Sequence, residues 1–205
     1  GYGSYVMENV LFKIAFPAEF HAQTAVECAM QLHPLVGDRL EDIDRVVIET
    51  QEPAVRIIDK TGPLANPADR DHCLQYMTAI PLIFGRLTAS DYEADVAGDP
   101  RVDALRERML VRENVAFTEA YYDAGKRHIG NAVQVFFKDG TSTRRAHVNV
   151  PLGHRERRAE GIPALVKKFE ASVAAHFAPA QSERIRALFA DRAKLEAMPV
   201  HEFVA

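Results

Sequence analysis

NPADRDHCLQYMTAIPLIFGRLTASDY, residues Asn66 to Tyr92, is the stretch around which the chain is organised. Asn66 followed by Pro67 reads as a helix start. An asparagine side chain accepts from the free N–H groups of a first turn, and proline fits the first helical position, where no N–H is needed. Asp69 and Asp71 then fall at the positive end of the helix dipole. From Cys73 the segment is apolar almost all round, through Leu74, Met77, Ala79, Ile80, Leu82, Ile83 and Phe84, as in a helix buried in a core. Pro81 is expected to kink or end it near Met77–Ile80, and Gly85 with Arg86 are end signals. Asp69, His72 and Tyr76 are spaced i, i+3, i+7, which predicts one shared helix face. Buried polar groups need partners. Either neighbouring backbone satisfies these, or their face borders a polar pocket.

Toward the N-terminus, Val10–Pro17 reads as a strand closed by its proline. Its one charge, Lys13, is either an edge lysine snorkelling to water or one held for an anionic substrate. Ala18–Leu32 is an amphipathic helix with Ala22, Ala25, Val26, Ala29 and Leu32 inward and Glu19, Gln23, Glu27 and Gln31 along a polar stripe. His21 lies near its start, on the centre of neither stripe. Ile43–Thr50 alternates as a half-buried strand, with Val46 and Ile48 on one face and Arg45, Val47 and Glu49 on the other. Ala54–Asp59 is a short apolar element. Arg56 within it either faces solvent or meets a carboxylate.

Toward the C-terminus, Ser90–Ala97 is predicted as a short helix with a Ser90/Glu93 capping box. A second helix is predicted over Arg101–Met109, a strand over Leu110–Phe117, and a short polar segment over Thr118–Arg127 with Tyr121 and Tyr122. His128–Lys138 and Thr141–Leu152 form a hairpin joined at Asp139-Gly140. Its alternation, Val133, Val135 and Phe137 answered by Ala146, Val148 and Val150, implies a sheet covered on one face. GHRERRAEG (Gly153–Gly161), with His154, Arg155, Arg157 and Arg158, is a charged loop, either solvated or used to bind carboxylates. Helices are predicted over Ile162–Phe177 and Gln181–Met198. The element order is α+β: a small, mainly antiparallel sheet covered by helices, with C-terminal helices. The expected division is a domain over 1–152 and a helical segment over 153–205.

Composition narrows the function classes. The chain has 205 residues, 47% hydrophobic and 26% charged, which is ordinary for a globular domain. A net charge of −4 argues against nucleic-acid binding. No run approaches the length of a membrane-spanning helix. Cys28 and Cys73 fall in apolar helical settings and are expected as free buried thiols in a reducing compartment. Two cysteines cannot hold a cubane cluster alone, and no histidine pair stands at i, i+4, so neither a metal nor a cofactor is expected. The N-terminus, Gly-Tyr-Gly-Ser, has neither an initiator Met nor a signal pattern, which suggests a chain cut from something longer.

The Asn66–Tyr92 segment, with FPAEFHAQTAVECAM (Phe16–Met30) and GHRERRAEGIPALVKKF (Gly153–Phe169), resembles proteins of the MmgE/PrpD family. That family carries a segment A-x-F-S-L-P-Y, which here reads Arg70–Tyr76 and keeps Leu74 and Tyr76. It also carries a lysine at a strand end before a proline and a histidine shortly after, matched here by Lys13 and His21. The resemblance covers nearly the whole chain but only the C-terminal part of such a protein. It therefore implies a large N-terminal helical domain beyond these residues, on which the segment 153–205 would pack. It also implies a cytoplasmic homodimer that removes water from 2-methylcitrate to give 2-methyl-cis-aconitate in propionate breakdown, with no metal cluster. That reaction needs a base, an acid and cations for three carboxylates. On this reading Lys13 stabilises charge, Tyr76 is a hydrogen-bond donor or acid, and His21 is an acid–base group. His72 joins them from helix geometry, and Arg56, His154 and Arg155 meet the substrate's carboxylates. The competing readings are a non-catalytic interdomain or dimerisation module, and a decarboxylase or isomerase acting on a related tricarboxylate.

Overall fold

Alternation over IDRVVIET produces the strand that anchors the sheet, β1 (Ile43–Thr50), with Ile43, Val46, Ile48 and Thr50 buried. A computed structural model describes residues 15–204. Lys13, with most of the strand expected at Val10–Pro17, lies outside the described residues, and 15–17 are not strand. Three further strands pair with β1 directly or in turn: β2 (Met109–Glu113), β3 (Asn131–Phe137) and β4 (Ala146–Val148), in the order β2-β1-β3-β4. β1 meets β3 antiparallel, with Ile48 opposite Val133, and β3 meets β4 antiparallel, with Val133 opposite Ala146. β1 and β2 run parallel, with Val46 opposite Met109. The sheet is therefore mixed, a refinement of the mainly antiparallel expectation. A parallel pair needs a long crossover, and the whole central stretch of the chain supplies it.

The hairpin at Asp139-Gly140 forms as expected. Gly140 takes φ +84°, a conformation that favours glycine, and the Asp139 carboxylate accepts from the Thr141 N–H at 2.8 Å. Helix α1 (Gln23–Val36) buries Ala25, Val26, Ala29, Leu32 and Val36 and packs on β3 and β4. After β1 comes α2 (Glu52–Ile58), with proline near its start.

The central stretch departs from its predicted form. Asn66 does cap a helix, its Oδ1 accepting from the Asp69 N–H at 2.9 Å, but that helix, α3, is only Pro67–Arg70. The chain then turns over Asp71–Cys73, and Cys73, extended at φ −120° and ψ 110°, precedes a fresh helix, α4 (Leu74–Phe84). Pro81 sits inside α4 without ending it. The end comes at Gly85, left-handed at φ +66°. Asp69, His72 and Tyr76 consequently share no helix face: they lie on α3, on the turn and on α4.

α4 packs against α1 and against α6 (Pro100–Arg106), which follows the short α5 (Ala94–Ala97). Between α4 and α5 the capping box is Thr88 with Asp91, not Ser90 with Glu93. A helix absent from the sequence reading, α7 (Val115–Tyr122), replaces the expected end of the strand and the polar segment; Asn114 caps it through the Ala116 N–H. The core of this unit holds Leu32, Ile43, Ile48, Ile58, Leu74, Met77, Ile80 and Leu82 at 1% exposure or less. Each such side chain contributes about 1.5–3 kcal/mol on burial.

The chain resolves into two compact units that part between Arg158 and Ala159, a few residues past Leu152, where the division was expected. The loop before that point is fastened to the first unit: Arg157 reaches both carboxylate oxygens of Glu27, at 2.8 and 2.9 Å. The second unit continues α8 (Arg158–His176) and adds α9 (Pro179–Ala190), α10 (Arg192–Ala197) and α11 (Val200–Phe203). It is held within itself by Phe169 on Phe189, with ring centroids 4.8 Å apart, and by the Ser182 hydroxyl donating to the Phe177 carbonyl at 3.1 Å.

Candidate active site

Of the polar side chains singled out in the sequence, His21 is the one that meets α7 directly. Its partner there is Tyr121, the hydroxyl lying 3.3 Å from Nε2. His21 sits in the single 3₁₀ turn Phe20–Ala22 that leads into α1. Its Nδ1 lies 2.9 and 3.1 Å from the two carboxylate oxygens of Glu19, and its backbone N–H donates to the same carboxylate at 2.7 Å. A carboxylate only accepts, so Nδ1 carries the proton and Nε2 of the neutral ring is bare. Tyr121 is then the donor to Nε2. Burial works to raise the Glu19 pKa, but the hydrogen bonds from His21, and its charge when the ring is protonated, outweigh it and leave the carboxyl below its ordinary value. The turn is fixed from behind by Asn131, fully buried on β3, whose amide donates to the His21 carbonyl at 2.8 Å and to the Thr24 hydroxyl at 2.7 Å.

The other expected site residues take four different positions. His72 is exposed, its Nδ1 2.5 Å from Asp71. The Asp71 carbonyl in turn accepts from the Glu19 N–H at 3.3 Å, so the His72 turn and the His21 turn are joined through backbone. Tyr76 is in the core. It stacks on Tyr92 at 5.8 Å and donates its hydroxyl to the Asp91 carbonyl at 2.5 Å, and burial pushes its pKa up to about 12. A pocket face shared by His72 and Tyr76 is therefore not formed, because the break at Asp71–Cys73 sends one side chain outward and the other inward. Arg56, exposed on α2, pairs with Glu52 at 3.7 Å, and Glu52 accepts from the Tyr122 hydroxyl at 3.1 Å. Arg56 is thus linked to α7 one residue from Tyr121.

The charged loop is tied to the segment that follows the same helix. His154 is 2% exposed. Its Nδ1 accepts from the Glu156 N–H at 3.2 Å, so Nε2 carries the proton and donates to the Lys126 carbonyl at 3.0 Å. The ring is neutral, and burial holds its pKa below the ordinary histidine value. His128 bridges to Glu156 at 2.9 Å, while its backbone N–H donates to the Ala120 carbonyl on α7 at 3.2 Å. His154 is the loop's anchor rather than an open ligand group, and Arg155 beside it is exposed.

Tyr121 and Glu19 were missed as members of this cluster. Asn114 followed by Phe117 and Tyr121 at spacing four carried the signal for α7, but only Phe117 is buried on it, so its apolar periodicity is weak. Both cysteines are free and buried, as expected, and burial pushes the Cys28 thiol up to about 12. Among the described residues, no group of three His, Cys, Asp or Glu side chains is placed to hold a metal ion, and no helix is long and apolar enough to cross a membrane.

Residues 16–193 match the MmgE/PrpD C-terminal domain. Over 206 aligned residues, 99% of this chain, it is 57% identical to the 2-methylcitrate dehydratase of Cupriavidus necator and likewise to that of Escherichia coli K12. It is 55% identical to the mitochondrial 2-methylcitrate dehydratase of Yarrowia lipolytica, over 99% of the chain. The aligned span is 43% of each bacterial protein and 39% of the yeast one, so the chain spans less than half the length of these relatives. The match takes in the His21 turn, α7, the anchored loop and most of the C-terminal helices, and the chain belongs to the MmgE/PrpD family, over its C-terminal domain.

Proposed function

We propose that this chain is the C-terminal part of a 2-methylcitrate dehydratase and supplies one wall of its active site. The observation that carries the reading is 57% identity to curated dehydratases over 99% of the chain. In this reading His21 is the acid–base residue. Once substrate displaces the Tyr121 hydroxyl, the Nε2 lone pair takes a proton from the carbon next to a carboxylate, and the C–H electrons form the new double bond. The C–O bond breaks, and hydroxide leaves as water once an acid protonates it. Glu19, fixed on Nδ1, sets the tautomer and offsets the charge of the imidazolium, the role that carboxylates play beside catalytic histidines. Tyr121 aims Nε2. Arg56 and Arg155, both exposed and linked to α7 through their neighbours, meet substrate carboxylates, with His154 anchoring the loop that presents Arg155. Lys13 adds a further cation, and His72, with Asp71, a second proton-carrying ring beside the His21 turn. Tyr76 acts by fixing the Asp91 turn from within the core.

The proposal has the protein working as a homodimer in the cytoplasm, with further groups of the site coming from the rest of the family's length. Two free, buried cysteines agree with a reducing compartment. Ile162, Leu165 and Val166, apolar and 58%, 39% and 49% exposed on α8, agree with further docking.

The test is a chimera in which this chain replaces the matching segment of the Cupriavidus necator dehydratase, assayed on 2-methylcitrate through the ultraviolet absorbance of the unsaturated product. His21→Asn is expected to lower kcat by ~10²–10⁴, the typical share of one acid–base role. An unchanged kcat would refute the assignment.

A further inference from the structure

At the opposite end of β1 from the His21 turn is a cavity of about 420 Å³. Leu40, Ile83 and Leu105 form its apolar floor, and Arg101, Arg108 and Lys138 stand around it. Arg108 precedes β2, and one of its terminal N–H groups donates to the Ile43 carbonyl at 2.8 Å. Lys138 follows β3, and its Nζ donates to the Glu41 carbonyl at 2.7 Å. Two cations flanking separate strands are thus held by carbonyls two residues apart where the chain enters β1. Among the described residues neither forms an ion pair with a carboxylate, and each keeps unused N–H donors. Arg101 is paired with Asp99 through Nε and one terminal nitrogen, which leaves its other terminal nitrogen open. Asp99 offsets Arg101, and the lining holds one carboxylate, that of Glu41, so Arg108 and Lys138 are the two lining cations without a carboxylate partner among the described residues, over an apolar floor.

We propose that this cavity binds a small organic phosphate: a compact apolar body on the floor and a dianionic head against Arg108 and Lys138. A monocarboxylate would neutralise only one of the two fixed cations. A phosphate monoester carries close to two charges and three strong acceptors, and the arginine fork matches it. The site is separate from the His21 cluster, because β1 spans eight residues between them, about 23 Å at the rise of a strand. It rests on no assumption about the dehydratase reaction, and its test has no turnover in it.

The experiment is a titration of the ¹⁵N-labelled chain with phenyl phosphate, with benzoate and inorganic phosphate as separate arms. Saturable shifts are expected at the amides of Leu40, Ala104 and Lys138 with phenyl phosphate, and at least roughly tenfold weaker binding in the other two arms, a difference of one decade in Kd. Arg108→Gln and Lys138→Gln should each weaken phenyl phosphate roughly tenfold, and Arg101→Gln less, since Asp99 already holds its guanidinium. Each variant's spectrum reports whether its fold is intact. No saturable shift below roughly 10 mM, a limit weaker than any Kd near 1 mM, would overturn the proposal. So would equal binding of inorganic phosphate, or unchanged affinity in both folded variants.

Discussion

His21 and Tyr121 stand 100 positions apart in the chain and meet with the tyrosine hydroxyl 3.3 Å from Nε2 of the imidazole. With Glu19 on Nδ1, every polar atom of the ring is aimed. Glu19→Gln should spoil that aim, because a side-chain amide can donate to Nδ1 and allow the other tautomer. In the chimera we expect kcat to fall by ~10²–10⁴ with KM nearly unchanged, the share of one acid–base role. Nitrogen chemical shifts of His21 should show Nδ1–H in the parent and a mixture in the variant.

Tyr76 is expected to report on stability. Tyr76→Phe leaves the carbonyl of the fully buried Asp91 without the hydroxyl that now donates to it. The cost is about 1–3 kcal/mol, that of an orphaned buried acceptor. Urea unfolding should show a lower midpoint at unchanged slope.

Gly85 is a second such position. A Cβ there would lie 2.7 Å from the His33 ring, in a backbone at φ +66°. His33 is itself held, its Nδ1 3.0 Å from the Leu82 carbonyl. Gly85→Ala should destabilise by about 1–2 kcal/mol from the left-handed backbone alone, with the clash added. A thermal scan that leaves Tm unchanged would contradict this account.

The first unit was legible wherever one periodicity ran without interruption. β1 emerged from its alternation over Ile43–Thr50, α1 from an apolar stripe, and the hairpin from Asp139-Gly140 between two alternating runs. The break at Asp71–Cys73 was hidden because a turn of a few residues preserves apparent helical spacing, so Asp69, His72 and Tyr76 read as one face. The parallel pairing of β1 with β2 depends on where a long crossover returns, which no local pattern encodes. Of the candidate cluster, His21, Arg56, His154 and Arg155 were singled out by residue type and place. Glu19, Tyr121 and the helix α7 were not, because α7 carries too little buried surface to show a period.

Stability should fall in two steps as pH drops. Burial lowers the His154 pKa, so just below about 6.5 the unfolded chain takes up a proton that the folded chain does not. Stability is then complete above that pH and declines as pH falls through it toward the folded value. Glu19 and Glu49 are shifted below their ordinary value of 4.5, so their contribution is present above it and is lost as pH falls further. His154→Gln should flatten the first step and leave the second, as read from urea midpoints between about pH 8 and pH 3, a range that covers both ordinary pKa values.

The most direct measurement is turnover of 2-methylcitrate by two proteins side by side: the 205-residue chain alone and the chimera that joins it to the remaining segment of the Cupriavidus necator dehydratase. The wall built on α7 holds one aimed histidine and exposed cations, whereas a tricarboxylate must be enclosed and met by several positioned groups, each worth ~10²–10⁴ in rate. The account predicts product formation by the chimera and none by the chain alone. Comparable turnover by the chain alone, or a folded chimera that binds 2-methylcitrate without converting it, would contradict it.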